Sequence, residues 1–165
     1  MIFKISGTTE TVLYNFTGGV DGGLTTGYDG HLILDSAGNL YGAASQGGIV
    51  NSNCPSGCGV TYRLSPQGTY AVLHSFTGGT DGAAPRLSLL RTAAGVIYGT
   101  SSSAAFRLAP SGSLIVLHDF AGGTGDGANP NGGLAMDSAG TLFGTTITGG
   151  TGCCNGVGVM FKISK

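Results

Sequence analysis

The sequence predicts an all-β, β-propeller-like fold, with three repeats of a four-stranded antiparallel meander plus an extra strand. Three observations carry this expectation. Short stretches of Val, Ile, Leu, Phe and Tyr alternate with polar residues at period 2, the pattern of strands with one buried face. Glycine accounts for 33 of 165 residues and falls between those stretches, where tight turns need it. Three sequence blocks also recur in fixed order, which marks a repeat architecture.

The first block reads Ile2-Phe3-Lys4-Ile5, Thr61-Tyr62-Arg63-Leu64, Ala105-Phe106-Arg107-Leu108 and Met160-Phe161-Lys162-Ile163. An aromatic and an aliphatic residue stand two apart with a cation between them, so one face is apolar. The second block, Val12-Leu13-Tyr14-Asn15-Phe16, returns as Val72-Leu73-His74-Ser75-Phe76 and Val116-Leu117-His118-Asp119-Phe120. Each copy runs into Gly-Gly and then Asp-Gly, a strand followed by a sharp turn. The third block, Leu32 to Gly42, is matched by Leu89 to Gly99 and by Leu134 to Gly144. Two strands flank its Asp-Ser-Ala-Gly turn, whose glycine is free to take positive φ.

Each unit thus supplies four short antiparallel strands: the Leu-Ile-Leu strand, the Leu-Tyr-Gly strand, the Phe-Lys-Ile strand and the Val-Leu-His-Phe strand. The aromatic of the first block recurs at intervals of 59, 44 and 55 residues (Phe3, Tyr62, Phe106, Phe161), close to the roughly 40 to 50 residues of known propeller blades. The chain divides into approximate units 2–59, 60–104 and 105–158 with an extra strand over 159–164, in a single domain spanning 1–165. The variable spacing comes from one hairpin, which carries glycine-rich insertions at Gln46 to Gly59 and Ile147 to Gly158.

Three blades are fewer than the typical four to eight of a closed propeller. Met1 stands where a repeat strand is already under way. The expectation is an excerpt of a longer protein that, in isolation, self-associates so that blades of different copies complete a ring.

Composition narrows the function classes. Charged residues make up 9% and the net charge is −1, which leaves no electrostatic footprint for a phosphate backbone, so no nucleic-acid partner is expected. No run approaches the roughly 20 apolar residues of a membrane span, and the N-terminus has no signal-peptide core.

All four cysteines lie in the two insertions. Cys54 and Cys58 are read as a disulfide stapling a loop with little core of its own, which implies an oxidising, extracytoplasmic compartment. For Cys153 and Cys154 a strained vicinal disulfide, two free thiols and a bond to another chain all stay open. A zinc site would need a second ligand pair that the spacing does not offer. Asp21, Asp81 and Asp126 are the calcium candidates, but each turn brings one carboxylate where a calcium loop supplies several oxygens, so turn chemistry is the better account and no metal is expected.

His74 and His118 share a position with Tyr14, and a residue recurring in every unit is first a packing residue. His31 is isolated. No catalytic residue and no cofactor are expected. Among the tyrosines, Tyr28 and Tyr70 lie outside the core pattern and are the candidates for ligand contact.

Val72 to Gly82, Asp35 to Gly42 and Gly57 to Pro66 together resemble the GloVer tandem-repeat family, the bacterial exported choice-of-anchor repeat proteins. The resemblance covers essentially the whole chain. It implies an exported repeat protein with no assigned enzymatic activity and no catalytic residues to carry over. Arg91-Thr92-Ala93-Ala94-Gly95 in the middle unit departs from the usual Asp-Ser-Ala-Gly turn. The expected function is a non-catalytic extracytoplasmic scaffold or interaction surface, secreted or on the cell surface, with a surface glycan or protein as partner. The alternatives are a carbohydrate-binding module and a polysaccharide-acting lyase or hydrolase with Asp and His side chains converging from several blades.

Overall fold

The computed structural model describes residues 1–23, 31–86, 88–152 and 156–164. Their regular structure is all β. β1 (Ile2–Ser6) and β2 (Thr9–Tyr14) form a hairpin. β3 (Ile33–Leu34), β4 (Leu40–Ala44), β5 (Val60–Leu64) and β6 (Tyr70–Ser75) form a four-stranded antiparallel meander. β7 (Leu90–Arg91), β8 (Ile97–Thr100), β9 (Ala104–Leu108) and β10 (Leu114–Asp119) repeat it. In the last sheet β11 (Gly127–Pro130) pairs with the far half of β13 (Leu142–Gly149). The near half of β13 lies between β12 (Ala135–Met136) and β14 (Met160–Ile163).

The alternation read from the sequence is therefore the alternation of blade-like sheets, with the Phe-Lys-Ile strand third in each complete sheet. The extra strand expected over 159–164 is β14, which lies third in the last sheet, paired to β13 with Phe161 opposite Gly144. β1 and β2 correspond in turn to the third and fourth strands of the complete sheets, since Phe3 and Tyr62 hold the same place opposite Val12 and Val72. Among the described residues, β14 has no fourth strand beside it.

One turn in each sheet is built by the same local chemistry. Asp35 Oδ1 accepts from the N–H groups of Ala37 (3.0 Å) and Asn39 (2.8 Å), and Asp137 Oδ1 does the same for Ala139 and Thr141. Thr92 fills this place in the middle sheet, its hydroxyl accepting from Val96 N–H at 3.2 Å. The closing glycines Gly38, Gly95 and Gly140 sit at φ of +82°, +81° and +83°, a conformation in which a side chain would crowd the backbone.

The Gly that follows Tyr or Phe in the third block has a different role. Gly42, Gly99 and Gly144 lie directly opposite Tyr62, Phe106 and Phe161 on the neighbouring strand. The aromatic ring folds over the bare glycine; a Cβ at Gly99 would stand 2.7 Å from Phe106 Cζ.

The core sits between successive sheets. Phe16 leaves β2 and meets Tyr62 at 5.2 Å between centroids, Phe76 leaves β6 and meets Phe106 at 5.2 Å, and Phe120 leaves β10 and meets Phe161 at 4.8 Å. All three pairs meet edge-on or tilted, the favoured aromatic geometry. The backbone follows, with Phe76 N–H donating to Gly59 O and Phe120 N–H to Ser103 O. Burying one such ring stabilises by about 1.5–3 kcal/mol, so the last residue of each fourth strand is the hook that fastens one sheet to the next.

Candidate functional site

The turn after each hook gathers the polar residues that sequence reading had weighed separately. Tyr14 donates to Asp21 Oδ2 at 2.8 Å. His74 Nε2 lies 3.2 Å from Asp81 Oδ2, and His118 Nε2 lies 3.1 Å from both oxygens of Asp126. The fourth strand thus presents a hydrogen-bonding ring to the carboxylate of the Asp-Gly turn in every copy. This pairing went unread in the sequence, although the signal was present: the two positions recur together, seven or eight residues apart.

Each carboxylate is further held by its own turn. Thr17 and Thr77 donate both N–H and hydroxyl to Asp21 and Asp81. For Asp21, burial pushes the carboxyl pKa up, but the Thr17 hydroxyl and N–H and the Tyr14 hydroxyl outweigh it, leaving it below its ordinary value. At Asp126 burial again opposes, and the Ala121 N–H, His118 and the Gly127 N–H hold the net value down. The calcium candidates Asp21, Asp81 and Asp126 are three separate carboxylates, each surrounded by donors in its own turn.

The third turn departs from the others. It is one residue longer and has Ala121 where Thr17 and Thr77 stand. No hydroxyl reaches Asp126 from that position, and the pair opens: the side chains of His118 and Asp126 are 44% and 27% exposed, against 20% and 11% for His74 and Asp81. A groove of about 510 Å³ runs past them along β14. Chemically, a His–Asp pair can orient an imidazole as a base, and a covalent route would add a hydroxyl or thiol on that base. At the first two turns the nearby hydroxyl donates to the aspartate instead.

Tyr70 stands differently from the expectation. It is half-buried rather than offered to solvent; its ring stacks on Tyr14 at 4.1 Å and its hydroxyl donates to the Asp21 carbonyl at 2.5 Å. Burial and the neighbouring Tyr62, Tyr14 and Asp21 raise its pKa, and burial alone lifts Tyr62 to about 12. Such a ring is a packing element, already covered on one face. Tyr28, Cys153 and Cys154 lie outside the described residues. His31 is exposed just before β3.

Cys54 and Cys58 form the expected disulfide, with Cα atoms 5.1 Å apart. It belongs to the apolar cluster containing Phe76 and Phe106. The loop it closes lies over the turn that follows Phe76, where Asn51 Nδ2 donates to Thr77 O at 2.7 Å and Asn53 Nδ2 to Gly78 O at 3.0 Å. The insertion is thus a clamp on an inter-sheet connection. Among the described residues no helix is long and apolar enough to cross a membrane.

The model of the Gloeobacter/Verrucomicrobia repeat matches residues 1–165. No curated protein matches the chain. A solved X-ray structure described provisionally as a gluconolactonase is 19% identical, with 77% of this chain and 45% of that chain covered and a TM-score of 0.44. The chain spans less than half the length of that structure.

Proposed function

We propose that this chain, which belongs to the Gloeobacter/Verrucomicrobia repeat family over its whole length, works outside the cytoplasm as a non-catalytic scaffold or interaction surface. The observation that carries this reading is the equivalence of Tyr14–Asp21, His74–Asp81 and His118–Asp126. A group used in every unit, and replaceable by tyrosine in one of them, serves the architecture. The recurrent polar side chains are spent on turns, and the remaining surface is free to vary with a partner. The Cys54–Cys58 disulfide and the repeat family fit an extracytoplasmic location, since such bonds persist where thiols are not kept reduced. Secretion or display on the cell surface follows as part of the proposal.

Incubation of the purified protein with polysaccharides and small lactones, with new reducing ends and free carboxylates followed over time, tests the reading. No product above buffer is expected. Turnover that disappears in Asp126→Asn, while the circular dichroism spectrum and melting temperature stay those of the parent, would overturn it.

A further inference from the structure

We infer that the cleft between the sheets β3–β6 and β7–β10 binds a small, singly charged organic carboxylate through Arg63 and Arg91. The cleft has a volume of about 300 Å³ and lies between two complete four-stranded sheets. Arg63 of β5, which stands opposite Tyr41 of β4, lines one wall. Arg91 of β7, opposite Ile97 of β8, lines the other.

The repeat supplies the first ground. Lys4, Arg63, Arg107 and Lys162 hold one place, so the cation of that strand is constant. Arg91 has Leu34 and Met136 as its counterparts, and the middle unit therefore sets a second cation where the other two units carry an apolar side chain. A group present in every unit serves the architecture; Arg91 is present in one.

Unspent donors are the second ground. The Arg91 guanidinium is held in place over the Tyr41 ring, 4.5 Å from its centroid. Its Nη2 lies 3.6 Å from Asp35 Oδ2, an ion pair beyond hydrogen-bond reach. Asp35 is already engaged by the N–H groups of Ala37 and Asn39 and by the Tyr41 hydroxyl. Arg63 makes no ion pair among the described residues. The Nε–H of both arginines is buried and meets no acceptor there, a costly state for a donor on a charged group.

Charge and shape select the ligand. Two guanidinium groups against the one carboxylate of Asp35 leave one positive charge, among walls of Leu73, Ala93, Ala94, Ile97, Leu108 and Pro110. Apolar walls weaken screening and so favour a single counter-charge. The guanidinium fork matches the two oxygens of a carboxylate. The volume, at the small end for ligand pockets, admits a compact body and no polymer chain. A carboxylate head on a short apolar body meets all three conditions. Binding of this kind adds a ligand to the scaffold reading and does not rest on it.

Titration of the full chain with benzoate, followed in proton–nitrogen correlation spectra that include the arginine Nε–H signals, tests the inference. Saturable shifts are expected at the Nε–H of Arg63 and Arg91 and at the N–H of Ala93, Ala94 and Ile97. Arg91→Leu installs the residue type found at position 34, and Arg63→Gln removes the other charge. Each is expected to weaken benzoate binding about tenfold or more, with the rest of the spectrum kept. Benzyl alcohol, of similar shape without the charge, and sulfate at equal ionic strength are expected to bind at least about tenfold more weakly than benzoate. Absence of a saturable shift below about 10 mM benzoate overturns the inference. Benzyl alcohol binding as tightly as benzoate reduces the cleft to an apolar slot, and sulfate doing so reduces it to a general anion site; either result overturns the carboxylate assignment. So does undiminished affinity in either variant that keeps the parent spectrum.

Discussion

Phe76 closes one sheet and opens the next: its ring, fully buried, meets Phe106 at 5.2 Å with the planes 65° apart. The same contact recurs twice, and its strength falls where its surroundings thin out. Phe106 is 0% exposed, whereas Phe161, the partner of Phe120, is half-buried. Phe76→Ala is expected to cost about 3–5 kcal/mol, the range for a buried aromatic truncated to a methyl group, and Phe120→Ala less. Urea denaturation with an unchanged m-value checks both.

A smaller change tests the glycine beneath the ring. Gly99→Ala pushes a methyl group into Phe106 and Leu89, and overpacking of this kind costs about 1–3 kcal/mol. The near-ultraviolet circular dichroism of the aromatic cluster is expected to change with it, because the ring must tilt away.

The alternating strands, the turn glycines and the Cys54–Cys58 bridge were legible because each follows from local rules that a single stretch of chain contains. The order of the strands was legible as well, with the Phe-Lys-Ile strand third in each meander, although the unit bounds 2–59, 60–104 and 105–158 run from that strand and so cut across the sheets. The pairing of Tyr14, His74 and His118 with their aspartates escaped. Strand and turn were read as separate elements, and the bond between them appears only when the chain folds back after Phe16, Phe76 and Phe120. β11 has no counterpart in the repeated blocks, so its pairing with Gly149, Thr148 and Thr146 had no signal in self-similarity.

The third turn is open to repair. Ala121→Thr restores the hydroxyl that Asp21 and Asp81 receive from Thr17 and Thr77, and one added hydrogen bond to a charged group stabilises by about 1.5–3 kcal/mol at best. The extra residue in this turn and the exposure of Asp126 set the expected gain at the low end or below it. The converse variant, Thr77→Ala, is expected to lower the melting temperature.

Acid is expected to weaken the fold through these carboxylates. Asp35 is held at about 2, chiefly by the Asn39 side chain against an opposing effect of burial, with help from the Asn39 N–H, the Tyr41 hydroxyl and the Ala37 N–H. Asp21 and Asp126 are lowered as well. A carboxyl whose folded pKa lies below its unfolded value of about 3.9 contributes stability above that value and loses it as pH falls through the folded one. The urea midpoint should hold steady down to about pH 4 and then fall toward pH 2, and Asp35→Asn should flatten part of that fall.

Reduction acts on one clamp. Cys54→Ser with Cys58→Ser opens a short loop, for which chain entropy gives about 2 kcal/mol. The parent is expected to melt lower in reductant, and the double variant to show no dependence of that melting on the same pair.

The claim on which the rest depends is that ring and aspartate form a structural post that recurs in every unit. The unfolding free energies of His74→Tyr and Asp81→Asn test it most directly. His74→Tyr installs the residue that Tyr14 already is, and is expected to stay within about 1 kcal/mol of the parent, whereas Asp81→Asn weakens the bonds from Thr77 and His74 and should cost about 1–3 kcal/mol. An Asp81→Asn protein as stable as the parent, or a His74→Tyr protein far less stable, would contradict the account.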